Sequence, residues 1–280
     1  MKLDPKAIET AAQFIESAEA IMIGAGAGMG VDSGLPDFRG PEGFWRAYPQ
    51  LEELGVSFEE MANPQWFEKN PRLAWGFYGH RFELYQRTQP HSGFSFINRW
   101  INEKKLDYFI FTSNVDGHFQ KGGFNSEKIL ECHGSLLHLQ CLRNCGHPIW
   151  RTDSNLVFRI NPDNLLAESP LPNCSECGSI ARPNILMFSD FQWDSNRTLN
   201  QERKYQDWLK NQKSKSLVVL EIGAGIDVPT VRLNCEEVYR MIGDHYIRIN
   251  PRESEIAYEE AVSLPMKAEE AIKAINQKII

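Results

Sequence analysis

Apolar positions along the chain follow two rhythms. Ile8, Ala12 and Ile15 recur at helical spacing behind Asp4, a capping residue, and Pro5, which suits a first helical position. Ala20 to Ile23 is instead a short unbroken apolar run, as expected of a strand covered on both faces, and it leads directly into a glycine-rich turn. Tyr108 to Thr112 and Leu217 to Ile222 repeat that strand pattern, the latter ending in Gly223-Ala224-Gly225, and Tyr246 to Ile249 gives a shorter strand before Asn250. A long helix is expected from Asn70-Pro71 through Arg87, with Leu73, Phe77 and Leu84 inward. The last segment, Lys267 to Ile280, aligns Ala268, Ile272, Ile275 and Ile279 on one stripe. Strands separated by helical stretches predict an α/β fold, a Rossmann-like parallel sheet with helices on both faces and its ligand site at the strand ends.

Between about Leu136 and Pro183 the rhythm gives way to short polar segments, prolines and two cysteine pairs, the look of a small metal-stapled insertion. The expected division is 1–43, 91–135 and 184–280 for three parts of the nucleotide-binding domain, 44–90 for a helical module and cofactor loop, and 136–183 for the insertion. A length of 280 residues with 42% apolar content suits one large core carrying an appended unit. Thirty-seven acids and 30 bases are interspersed, a net charge of −7 that argues against a nucleic-acid partner; the basic stretch Arg203 to Lys215 is mixed with acids and reads as a solvated face. The N-terminus lacks the layout of a secretion signal, and the longest apolar run, Ile21 to Val31, is too short for a bilayer. The expectation is a cytoplasmic protein with no membrane partner.

Cys141-x3-Cys145 and Cys174-x2-Cys177 are separated by 28 residues and fit a four-thiolate zinc site with no open position, hence structural. His138 and His147 flank the first pair and could each replace one sulfur. Residues 26–40 read GAGMGVDSGLPDFRG after a strand, where glycines let the backbone approach a pyrophosphate; a tight structural turn is the plainer alternative. Pro36-Asp37-Phe38-Arg39-Gly40 adds an aromatic cover and a permanent cation just beyond. For His133, a satisfied structural residue, a thiol dyad with Cys132 and a general base are all open on the residues alone.

Taken in order, these motifs resemble the sirtuins over roughly residues 15–270. The glycine segment is similar to that family's GAGxxxxxGxPDFRG, Thr112-Ser113-Asn114-Val115-Asp116 to its TQNID, and Glu131-Cys132-His133-Gly134-Ser135 to its histidine motif. The resemblance implies NAD as cosubstrate and acylated protein lysines as substrates. In that chemistry the acyl oxygen attacks the nicotinamide ribose, nicotinamide leaves, and His133 activates a ribose hydroxyl that takes over the acyl group. It also implies Asn114 as a catalytic partner and a cofactor surface made of Gly26, Ala27, Gly28, Asp37, Phe38, Arg39, Ser113, Asn114, Asp116, His133, Gly223, Ala224, Gly225, Asn250 and Ala268. Asp116 would bond the carboxamide, and Ile185 and Phe188 would line the acyl-lysine tunnel. Tyr78 and Arg81 lie three apart on one helix face. An exposed arginine beside a half-buried tyrosine is the bland expectation, but the spacing resembles the Tyr-x-x-Arg element of sirtuins that accept succinyl- or malonyl-lysine, where a guanidinium grips a carboxylate.

The chain departs from the family pattern at four places. Gly30 stands for serine, Ser113 for glutamine, Ser189-Asp190 for Gly-Glu, and Ala224-Gly225 for Thr-Ser. Loss of the glutamine leaves His133 to be oriented by water or another side chain. It also keeps ADP-ribosyl transfer and plain NAD cleavage in view as alternative activities, with an NAD-sensing module as the non-enzymatic one.

Overall fold

The computed structural model describes residues 5–37, 40–153 and 155–279. Asp4, Phe38, Arg39 and Ile280, all named above, lie outside the described residues.

Among the described residues, nine strands form two sheets: β1 (Ala20–Ala25), β2 (Asp107–Thr112), β3 (Ile129–Glu131), β4 (Gly134–Cys141), β5 (Trp150–Arg151), β6 (Ala181–Ile185), β7 (Leu217–Ile222), β8 (His245–Ile249) and β9 (Ala261–Leu264). The larger sheet runs in the order β3-β2-β1-β7-β8-β9, with all pairings parallel. Every residue of β1 and β7 is buried, which is why those segments read as mostly apolar runs; the exception, Glu221 in β7, is paired with Arg248. Helices Pro5–Ser17, Ser92–Lys104 and Ala268–Asn276 cover one face, and Asn196–Lys210 and Thr230–Ile242 cover the other. The chain leaves β1 toward β2 on one side, and β7 pairs on the other. The carboxyl ends of β1 and β7 therefore flank the point where strand order reverses, the place where such sheets open a crevice.

A second apolar core joins helix Pro71–Arg87 and its short neighbours to the small antiparallel sheet β5-β4-β6. That sheet begins at Gly134, directly after His133, and returns at Ile185. Asn70 caps the long helix by accepting from the Leu73 N–H at 3.1 Å. One expectation fails within it: Leu84 is only half-buried, while Phe82 and Tyr85 are inside. The helix is buried on most of its circumference, so no single stripe marks its inner face. The last helix is shorter than expected and ends at Asn276, with Lys267 as its cap and Ile279 packed beyond it. No helix among the described residues is long and apolar enough to cross a membrane.

Candidate active site

The glycine turn works by backbone contact between two strand ends. Gly28 N–H donates to the Gly223 carbonyl at 3.0 Å, and a Cβ on Gly28 would stand 2.6 Å from the Gly223 Cα. Only glycine fits both sides of this approach, and Gly223 also has φ +61. The helix that follows, Gly28–Val31, is a single turn. Asn114 ties the next strand end to it, donating from Nδ2 to the Gly26 carbonyl at 2.9 Å, while Thr112 Oγ1 donates to Ala25.

These ends border a cavity of about 520 Å³. Gly26, Ala27, Asp37, Ser113, Asn114, Asp116, His133 and the Gly223-Ala224-Gly225 turn line it, together with Tyr78, Arg81, Ile185 and Phe188. Three expected cofactor residues do not face it. Gly28 lies behind the turn against Gly223. Asn250 is buried, with Nδ2 donating to the Ala224 carbonyl at 2.9 Å and Oδ1 receiving the N–H groups of Arg252 and Glu253, so it holds the loop from behind. Ala268 is buried at the start of the last helix, in the core. Sequence reasoning missed Leu35, Phe58, Tyr85, Leu186, Met187 and Asp227 in the cavity wall.

His133 follows the end of β3. Its carbonyl accepts from Leu186 N–H at 3.0 Å, and Phe188 N–H donates to Ala62 at 2.9 Å, so the strand-end histidine, the segment after β6 and the helical module are linked through main chain. Gly134 makes the turn with φ +80; a Cβ there would stand 2.1 Å from the Asn184 carbonyl. Burial lowers the His133 pKa from its ordinary value, so the imidazole is neutral and able to accept a proton at neutral pH. Among the described residues none bonds its ring, consistent with Ser113 in place of a longer amide. Burial pushes the adjacent Cys132 thiol up to about 12, and Cys132 packs against the apolar core under helices Asn196–Lys210 and Thr230–Ile242 instead of lining the cavity, which argues against the dyad.

Asp116 is raised to about 6, by burial first, against the pull of the His118 N–H that its Oδ1 accepts at 2.8 Å and of Arg81. The bland expectation for Arg81 fails: it is 8% exposed and Tyr78 1%. Arg81 lies among the rings of Phe77, Tyr78 and Tyr85, its guanidinium carbon 5.4 to 5.9 Å from their centroids. Phe188 remains 40% exposed at the rim, edge-on to Phe58.

On the small sheet, the sulfurs of Cys141, Cys145, Cys174 and Cys177 all lie within 4.8 Å of one another, with Cys141 to Cys177 at 3.5 Å and Cys145 to Cys174 at 3.6 Å. Tetrahedral zinc with Zn–S near 2.3 Å sets sulfurs about 3.8 Å apart, so the set fits that ion with all four positions filled by protein. The additional residue in the first pair is absorbed by Asn144 at φ +46, whose Nδ2 donates to Gln192 at 3.0 Å.

This arrangement has relatives. The Sir2 family profile matches residues 26–227. The chain belongs to the Sir2 family. A protein named NAD-dependent protein deacylase from Leptospira interrogans is 28% identical over 91% of each chain. Another of that name from Aquifex aeolicus is 32% identical over a stretch spanning 59% of each. A solved Sir2 homologue in complex with NAD aligns at 23% identity and TM-score 0.70, covering 99% of this chain and 94% of that one, which shows the shared Sir2 fold.

Proposed function

We propose that the protein is an NAD-dependent protein lysine deacylase with a preference for acyl chains that end in a carboxylate. One observation carries the reading: His133, Asn114 and Asp116 line the same cavity as Tyr78 and Arg81. A sensor, or an enzyme that only cleaves NAD, has no use for a buried cation beyond the reactive sugar. The names and family of the relatives support the reaction class.

The residues divide the work. The glycine turns bring backbone close to the pyrophosphate, and Asp116 presents an acceptor to the nicotinamide carboxamide. His133, neutral by burial, takes the proton from a ribose hydroxyl so that this oxygen can receive the acyl group. Ile185 and Phe188 flank the acyl-lysine stem, while Arg81 and Tyr78 meet the distal carboxylate. Zinc, held by the four cysteines, would fix the small sheet that positions Ile185 and takes no part in bond making.

The test is incubation with NAD and acetyl-, succinyl- or unmodified-lysine peptides, following nicotinamide and acyl-ADP-ribose by mass, with His133→Tyr as control. Acyl-dependent release that disappears in the variant, with succinyl turned over faster than acetyl, is the expected result. Release without any peptide would support NAD cleavage or ADP-ribosyl transfer, and no release would support the sensor.

A further inference from the structure

We propose that Tyr85, one helical turn beyond Arg81, is a third polar anchor of the acyl pocket, donating its hydroxyl proton to the carboxylate of an acidic acyl chain while it fixes the orientation of the Arg81 guanidinium. The proposal rests on the acidic-acyl reading above and adds a specificity residue to it.

Tyr85 and Arg81 both line the cavity and both are nearly buried, at 6% and 8% exposure. Arg81 donates to the Tyr85 hydroxyl twice, from Nε at 3.1 Å and from Nη2 at 2.7 Å. A phenol oxygen has capacity for two accepted bonds and carries one proton of its own. With the accepting capacity used by Arg81, Tyr85 can meet a ligand only as a donor. Burial raises its pKa above the ordinary tyrosine value, so that proton is present at any working pH. The same bonds fix the plane of the Arg81 guanidinium, whose Nε and Nη2 edge is turned to Tyr85.

Donor-only polarity beside a fixed positive charge defines the ligand class. It matches an anionic oxygen and mismatches a methyl, an amide N–H or an ammonium. Asp116 is the acid felt by Tyr85, yet no hydrogen bond joins the Tyr85 hydroxyl to its carboxylate, whose Oδ1 accepts the His118 N–H. A succinyl or malonyl terminus entering past Ile185 would give the hydroxyl proton an acceptor. An acetyl group would leave the end of the pocket to water. A hydrogen bond to a charged group in a buried site contributes enough for roughly a ten- to hundredfold effect.

The experiment compares wild type, Tyr85→Phe and Arg81→Met for kcat and KM with succinyl- and acetyl-lysine peptides at saturating NAD, with melting curves to verify folding. Phenylalanine keeps the ring over Arg81 and deletes only the hydroxyl. The expected result for Tyr85→Phe is a rise in succinyl KM of about tenfold or more, a smaller change in kcat, and a succinyl-to-acetyl kcat/KM ratio at least about tenfold lower. A ratio unchanged within twofold overturns the proposal, as does an equal loss on both peptides, which would mark a packing role. The underlying reading fails separately, and visibly, if wild type does not favour succinyl and Arg81→Met leaves the ratio where it was.

Discussion

At the residue scale, the account turns on groups whose protonation burial has shifted. His133 must be neutral to accept a proton, and its pKa lies below the ordinary value near 6.5. Asp116 must be ionised to accept from the carboxamide, and it is raised to about 6. Both requirements are lost as pH falls, so kcat/KM should decline below about pH 6 with a slope steeper than one proton. Full activity at pH 5 would contradict this. Because Arg81 holds the Asp116 pKa down, Arg81→Met should also move the acid limb to higher pH, alongside a loss of about a hundredfold on succinyl peptide. An unmoved limb in that variant would separate the two residues. That His133 and Asp116 border one cavity was legible in the sequence because each sits in a short motif whose backbone demands are local. Tyr85 carried a signal too, at four residues from Arg81 on a helix, the spacing at which side chains meet.

At the element scale, the segment after β6 connects the substrate side to the core. Arg182 and Asp190 form a two-bond pair, Nη1 to Oδ2 at 2.7 Å and Nη2 to Oδ1 at 2.9 Å, with both side chains at most 1% exposed. The pair closes the loop that carries Leu186, Met187 and Phe188, and Ser189 turns it with φ +55 where the family pattern has glycine. The replacement of Gly-Glu by Ser-Asp is thereby explained in part: the shorter acid reaches the arginine from a turn that serine can still make. Asp190→Asn should cost about 3 to 5 kcal/mol by leaving a buried guanidinium uncompensated, read as a fall in the denaturant midpoint. A loss under about 1 kcal/mol would show that the pair relaxes into water. The pairing was not legible in the sequence, because two residues eight apart across a turn leave no periodic mark. The inner face of helix Pro71–Arg87 was misread at Leu84 for a related reason, since a helix buried on most sides has weak periodicity.

At the scale of the whole molecule, the cavity is walled by residues of two apolar cores, the one under the helical module and the one on the far face of the large sheet, and the small sheet has its own thiolate cluster. The alternation of strands and helices made the large sheet legible, and the cysteine spacing made the zinc module legible. The partition of Asn250 and Ala268 behind the cavity was not, because a loop's supporting residues and its contacting residues carry the same motif. The purified protein should contain one zinc per chain, and Cys174→Ser should lose it and melt at lower temperature; full zinc content in that variant would contradict the site. Burial lowers the pKa of His80, His91, His118, His133 and His138, with His118 near 4 and His138 near 3. The unfolded chain binds these protons near pH 6.5. Their contribution to stability is therefore full above pH 6.5 and is lost as pH falls toward 4, with Asp116 opposing it between about 4 and 6. Denaturant midpoints at pH 7.5 and pH 5 should differ in that sense, and equal midpoints would contradict it. The central claim, that His133 deprotonates a ribose hydroxyl which then takes the acyl group from lysine, is tested most directly by the ratio of nicotinamide released to acyl-ADP-ribose formed. The account predicts one to one, with neither product when the peptide is unacylated. Nicotinamide accompanied by free ADP-ribose, at a rate indifferent to the peptide, would contradict it.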